Sequence, residues 1–482
     1  MKILYAAAEV VPFVKTGGLA DVAFSLPKAL KKLGMDIRVI LPKYKDIPKK
    51  FLDQMSLIKE FEVSLGDNKK YCGIYSLEYQ EIPFYFIDNE EYFKREGLYG
   101  YWDDGERYSY FSKAIIEFMG QIDFIPDVLH CNDWHTGMVM ALLDSYYRKE
   151  APFNKIKKVF TIHNLRYQGI FPKEILRDLL SLGEEYFHLN ALEFYGKVNF
   201  MKAGIGFSDI ITTVSETYAK EIQFSYYGEN LDGFLRHHRH QLVGIVNGID
   251  YDIYNPMTDK NIYVPYQTSL KKKQENKISL QKQLGLSPQK HIPLLAMVTR
   301  LDSMKGIDLV LHILEELLQL DVQMIVLGTG DKKYEDLLKN LGKKYPEKLS
   351  VNTFFSEELA HKIYAGADLF LMPSKFEPCG LSQLIALRYG TLPIVRETGG
   401  LKDTVKPYNE YTGEGNGFSF ANYNAHDMLH VIKNALNIYQ DKEKWAKLVK
   451  CALKSDYSWK KSAQKYQELY HTLVKGENFE SQ

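Results

Sequence analysis

Apolar positions fall into short runs separated by helical periodicities. The run from Ile3 to Ala8 predicts a first strand. Leu19, Val22, Ala23, Leu26, Ala29, Leu30 and Leu33 then recur at helical spacing, and Asp36 to Leu41 reads as a second buried strand stopping at Pro42. A β-α-β start of this kind implies a parallel sheet with a right-handed crossover. Residues 56–88 alternate apolar and polar about Gly66, Asp67 and Asn68, which predicts an antiparallel hairpin insertion. A polar, aromatic loop from Leu98 to Asp104 leads into a helix expected over 106–119.

Parallel-strand character then returns. Asp127–His130, Val159–Ile162, Ile210–Val214 and Val243–Val246 are each apolar, and each delivers polar groups just beyond its end. Those groups are Asn132-Asp133-Trp134-His135, His163-Asn164, Ser215-Glu216 and Asn247-Gly248-Ile249-Asp250. In open α/β sheets the carboxyl edge of the strands is where ligands bind. A lysine-rich stretch, Asp259 to Gln289, follows, with a short helical pattern only near Ile278–Leu284. A second α/β series then begins, with strands at Pro293–Val298, Val322–Leu327, Ser350–Phe354, Leu369–Met372 and Leu392–Val395 and a helix at Ile307–Leu320.

The expected architecture is α/β, with two doubly wound Rossmann-like domains in series facing across a cleft. Residues 1–245 form the first domain and 246–457 the second, with a hinge near 241–250. The tail 458–482 carries an amphipathic helix, with Tyr466, Leu469, Tyr470 and Leu473 on one face, expected to pack back on the first domain.

Composition narrows the chemistry. The 482 residues carry 61 Lys+Arg and 61 Asp+Glu, so nothing asks for nucleic acid or an acidic membrane as partner. No apolar run approaches a membrane span, no signal-peptide pattern opens the chain, and the expected location is cytoplasmic. Four cysteines, Cys72, Cys131, Cys379 and Cys451, lie far apart and suggest neither a disulfide framework nor a zinc site. The 34 tyrosines and 26 phenylalanines suit sugar stacking, though an aromatic core explains them as well.

Several loops carry candidate chemistry. Lys15-Thr16-Gly17-Gly18 joins the first strand to the first helix, either as an anion cradle or as a tight βα turn with a solvated lysine. Arg300 and Lys305 follow a strand end and suit a diphosphate, or else serve as exposed ion-pair partners. Glu377 precedes Pro378 and a helix from about Gly380, as a hydrogen-bond acceptor for sugar hydroxyls or as a helix-dipole partner. Thr398-Gly399-Gly400 echoes the first glycine turn. Gly328-x-Gly330 lacks the third glycine of a dinucleotide fingerprint, and Arg236-His-His-Arg-His240 reads as solvated surface rather than a metal site.

Taken together, Lys15-Thr-Gly-Gly-Leu-Ala-Asp-Val22, Asp133-Trp-His135, Thr161-Ile-His-Asn164, Asn247-Gly-Ile-Asp250, Ala360 to Asp368 and Phe376-Glu-Pro-Cys-Gly-Leu381 resemble bacterial glycogen synthase and plant starch synthase. The motifs run in family order over nearly the whole chain. The resemblance implies a B-type, retaining glucosyltransferase. Such an enzyme moves glucose from ADP-glucose to the non-reducing-end 4-hydroxyl of glycogen or another α-1,4-glucan, with no metal and no cofactor.

It further implies that Arg300 and Lys305 hold the diphosphate, with Leu381 and Ser382 adding donors at a helix start. Glu377 would grip the glucosyl hydroxyls beside Cys379 and Gly380, and Phe355 would lie against adenine. Lys15, Gly17 and Gly18 would approach the nucleotide from the first domain as one jaw of a closing clamp. His163 would position the transferred glucose, with Asp133 and Asn247 as polar residues of the active cleft. Retention is expected by same-face attack, with the departing phosphate as base. A related transferase using UDP-glucose or another nucleotide sugar, and an inactive glucan-binding protein, are the competing readings.

Overall fold

A computed structural model describes residues 1–122 and 124–477. The chain divides into two compact units. The first is Met1–Asn247 with the C-terminal segment from Trp459, and the second is Gly248–Ser458. The boundaries expected from the sequence are 245/246 and 457/458.

The first unit is built on nine strands. In chain order these include β1 (Lys2–Ala6), β2 (Asp36–Pro42), β3 (Ser56–Leu65), β4 (Asn68–Tyr79), β5 (Ile82–Asp88), β6 (Val128–Asn132) and β7 (Lys157–Ile162). Three short strands, β8 (Ile170–Phe171), β9 (Glu193–Phe194) and β10 (Lys197–Asn199), form a separate antiparallel sheet that periodicity did not announce. Strands of two or three residues are too short to show alternation. β11 (Ile210–Thr213) and β12 (Leu242–Gly244) complete the main sheet, in the order β12-β11-β7-β6-β1-β2-β5-β4-β3.

β12 through β5 pair in parallel, and β3-β4-β5 form the antiparallel extension at the edge. The strand order reverses between β1 and β6, so the loops after these two strands flank a topological switch point. The helix Gly18–Lys32 buries Leu19, Val22, Ala23, Leu26 and Leu30. The helix Trp459–Lys475 packs against it and buries Tyr466, Leu469 and Tyr470. Tyr470 Oη lies 2.6 Å from His130 Nδ1, Gln467 Nε2 donates to the Leu33 carbonyl and Ser462 Oγ to that of Val246.

The second unit has six strands, β13 (Leu294–Val298), β14 (Gln323–Leu327), β15 (Leu349–Asn352), β16 (Leu369–Met372), β17 (Leu392–Arg396) and β18 (Phe418–Phe420), all parallel. Their order is β15-β14-β13-β16-β17-β18, the 3-2-1-4-5-6 arrangement of dinucleotide-binding sheets. Alternate residues enter two cores: Leu295, Met297, Met324 and Val326 pack on one face, Leu294, Ala296, Ile325 and Leu327 on the other.

One expectation fails here. The lysine-rich stretch holds a full helix, Leu270–Gln283, in which Lys273, Asn276, Lys277 and Gln281 are buried. Lys277 Nζ pairs with Asp368 Oδ2 at 2.6 Å, and Lys273 Nζ donates to the Ala365 and Tyr389 carbonyls and to Thr391 Oγ1. Polar partners arriving from about ninety residues away let lysines occupy the helix's inner face, so apolar periodicity could not mark it.

Candidate active site

In the second unit the switch point lies between β13 and β16, and the loops that follow these strands carry the candidate charges. After β13, Asp302 Oδ1 accepts from the Met304 and Lys305 N–H groups and shapes a one-turn 3-10 helix. Gly306 follows at φ +72°, and a Cβ there would lie 2.2 Å from the Pro373 carbonyl oxygen. Only glycine permits both the left-handed backbone and that approach of the two loops. Lys305 Nζ consequently reaches Glu377 Oε2 at 2.5 Å, and Ser374 Oγ donates to the same oxygen at 2.9 Å. Glu377 is buried, and its Oε1 takes no hydrogen bond among the described residues.

Arg300 stands differently. Its side chain is 67% exposed, with Asp302 Oδ2 at 3.9 Å as its nearest carboxylate. Cys379 is a buried free thiol, and Gly380 turns the chain at φ +75° into the helix Ser382–Arg388. Its N-cap residue, Leu381, makes no side-chain cap, so the helix's first N–H groups are not taken by a capping side chain. Gly399, at φ +45°, brings its own loop against the Glu377 carbonyl, where a Cβ would sit 2.0 Å away. Phe355, beyond β15, is 84% exposed, an unusual state for a large aromatic ring.

In the first unit, β6 and β7 are neighbours in register, Asn132 beside Thr161, so the residues after them meet. Asp133 Oδ1 accepts from the His163 N–H at 2.8 Å. Asp133 itself adopts φ +55°, an uncommon backbone for a non-glycine residue. Burial pushes its carboxyl from 3.8 up to about 7, against the opposing pull of the His163 and Asn164 N–H groups. Burial also holds the His163 and His135 imidazoles neutral, each at about 3, with Arg107 adding to the shift of His135. Among the described residues His135 Nδ1 and Asn247 Oδ1 are buried with no hydrogen-bond partner, and such groups are rare without a ligand or water to satisfy them.

The glycine turn holds a residue that the sequence reading missed. Glu9 is 3% exposed, and its Oε2 accepts from Thr16 N–H at 2.5 Å and Thr16 Oγ1 at 2.7 Å. The turn thus already holds a carboxyl group of its own chain. Burial raises the Glu9 carboxyl, opposed by these Thr16 bonds and by the Gly17 N–H. Lys15 Nζ pairs with Asp21 Oδ1 at 2.8 Å, and Gly17 caps the helix that begins at Gly18. A lone carboxylate inside an apolar run, Ala6-Ala7-Ala8-Glu9-Val10-Val11, is the available signal.

Arg236 pairs with Asp232, and His238 Nδ1 contacts Gln241 Oε1. Among the described residues no group of three or more His, Cys, Asp or Glu is placed to hold a metal ion. Nor is any described helix long and apolar enough to cross a membrane.

The family profile for the starch synthase catalytic domain matches residues 2–237, and that for glycosyl transferases group 1 matches residues 281–450. Glycogen synthase of Desulforamulus reducens is 57% identical over 475 residues, covering 98% of this chain and 99% of that protein. The chain belongs to the glycogen and starch synthase family. Glycogen synthase of Clostridium acetobutylicum is 56% identical, covering 98% of this chain and all of that protein. The catalytic domain of starch synthase IV from Arabidopsis thaliana, solved bound to ADP and acarbose, superposes with a TM-score of 0.91 at 35% identity, covering 98% and 99% of the two chains. A sucrose-phosphate synthase from Thermosynechococcus elongatus, 16% identical with a TM-score of 0.63 over 98% and 99% of the chains, shares the fold. The architecture is accordingly the B-type glycosyltransferase fold of this family, and the chain is a glycosyltransferase.

Proposed function

We propose that the chain extends α-1,4-glucans in glycogen synthesis, transferring glucose from ADP-glucose to the non-reducing-end 4-hydroxyl with retention at the anomeric carbon. The observation that carries this reading is the Lys305–Glu377 pair at the switch point of a 3-2-1-4-5-6 sheet, in a chain 57% identical along its length to glycogen synthases. The second unit takes the nucleotide sugar and the first the acceptor glucan.

In this reading a glucosyl bond breaks as negative charge grows on the departing diphosphate. Arg300 and Lys305 meet that charge, and the uncapped N–H groups near Leu381 and Ser382 add to it. Lys305 is already anchored on Glu377, so little side-chain entropy remains to be lost when the donor arrives. Glu377 keeps Oε1 for glucosyl hydroxyls while Lys305 and Ser374 hold Oε2. A carboxylate engaged in this way is a poor nucleophile, which favours same-face attack with the leaving phosphate accepting the acceptor's proton. Cys379 and Gly380 line the sugar's surroundings, and the exposed Phe355 ring offers a stacking face for adenine. From the first unit, His163 positions the transferred glucose, Asp133 and Asn247 supply polar contacts of the active cleft, and Lys15, Gly17 and Gly18 approach the donor.

Incubation with ADP-glucose or UDP-glucose plus glycogen, reading released nucleotide, tests the proposal. Release from ADP-glucose with glucan elongation is expected. Release from UDP-glucose alone would overturn the donor assignment, and release from neither would leave a glucan-binding protein.

A further inference from the structure

Asn132, the last residue of β6, is fully buried and lies between β1 and His163. Its Nδ2 donates to the Ala6 carbonyl at 3.0 Å. Its Oδ1 receives the Tyr5 hydroxyl at 2.9 Å and lies 2.9 Å from His163 Nε2. Which end of the amide faces which neighbour follows from chemistry. A backbone carbonyl can only accept, so the NH2 end must face Ala6; the reverse orientation would set two acceptor oxygens against each other in a buried place. The amide oxygen therefore faces His163, and Nε2 must be the donor. Because burial keeps this imidazole neutral, one ring proton is all it has, and Nδ1 is left with a lone pair. Nδ1 takes no hydrogen bond among the described residues.

We infer that Asn132 is a positioning residue: by accepting from Nε2 it holds His163 in the Nε2–H form and reserves Nδ1 as a hydrogen-bond acceptor for a hydroxyl of the transferred sugar. The sugar half of this inference rests on the glucosyl-transfer reading, and the tautomer half does not. The main chain is held as well, since Asp133 fixes the His163 N–H, so neither the ring nor its peptide needs to reorganise when substrate arrives. Asn132 touches no substrate in this arrangement; it acts through the histidine.

Two readouts separate these halves. Two-bond 15N–1H correlation spectra of histidine-labelled protein, with His163→Gln identifying the resonances, report the tautomer directly. The full chain should show His163 protonated on Nε2, whether or not it transfers glucose. A proton on Nδ1 would overturn the inference. Asn132→Leu keeps the branched skeleton but removes the acceptor, and should give a mixed tautomer with kcat lower by about 10–100-fold and donor KM nearly unchanged. Asn132→Asp should restore the Nε2–H form and most of kcat, because a buried carboxyl that takes a proton can donate to Ala6 and still accept from His163. Equal losses in the two variants, with the Asp variant in the Nε2–H form, would refute the positioning role. If the Leu variant does not fold, the wild-type tautomer and the Asp variant still decide.

Discussion

Replacing Asp133 by asparagine should stabilise the fold and impair turnover at once. Burial raises the Asp133 carboxyl from 3.8 to about 7, so the folded protein holds this proton more tightly than the unfolded chain does. The sign follows from linkage: for an acid whose folded value is raised, stability falls as pH climbs from the unfolded value to the folded one, then stays level. Three pH units correspond to about 4 kcal/mol at most above pH 7, and to less than half of that at pH 5. Asparagine removes the ionisation cost, keeps an oxygen for the His163 N–H, and tolerates φ +55° as well as aspartate does.

Allowing for relaxation of the site, Asp133→Asn should gain about 1–3 kcal/mol at pH 8 and about 1 kcal/mol or less at pH 5. That is a rise in melting temperature of several degrees at pH 8, at roughly 2–4 °C per kcal/mol for a unit of this size. Differential scanning calorimetry of both proteins between pH 5 and 8.5 measures the gap. A gap that does not widen with pH, or a variant less stable at pH 8, would refute the reasoning. Glucosyl transfer by the variant should drop by about tenfold or more, as expected where burial is tolerated for the sake of function.

Four further expectations follow from the same geometry. Lys305→Ala should raise the donor KM by at least about tenfold, while Glu377→Ala should lower kcat far more than it weakens ADP binding measured by calorimetry; intact turnover in the latter would remove Glu377 from the sugar site. Phe355→Ala should weaken ADP binding by roughly 1 kcal/mol without changing the melting temperature, because the exposed ring supports no core; unchanged affinity would place adenine elsewhere. Tyr470→Phe should cost about 1 kcal/mol of stability by removing the hydroxyl that meets His130 Nδ1, read from the chemical-denaturation midpoint, and a neutral result would mean that the tail helix is held by apolar packing alone.

Much of the frame is legible in the sequence. The parallel strands β1, β2, β6, β7, β11, β13, β14, β16 and β17 lie where apolar runs predicted them, because a strand covered on both faces is mostly apolar. The hairpin insertion was readable from alternation and a Gly-Asp-Asn turn. Harder to see were groups whose partners are distant in sequence. Lys273 and Lys277 fall in a stretch too lysine-rich to show an apolar helical period, yet Asp368 and a set of carbonyls meet them in the interior. Glu9 passed unnoticed beside the glycine turn for the same reason, since only the fold reveals that Thr16 folds back over it.

By itself, the sequence determined the class of architecture, the family and the loops that carry chemistry. Periodicity and motif order are local properties, written in neighbouring residues. Tertiary structure decided how those residues are paired and charged. It joined Lys305 to Glu377 across seventy-two positions, set Asp133 beneath the His163 peptide and turned the Asn132 amide toward one nitrogen of the imidazole. Burial and distant hydrogen bonds set protonation states, and neither can be read from a window of neighbouring residues.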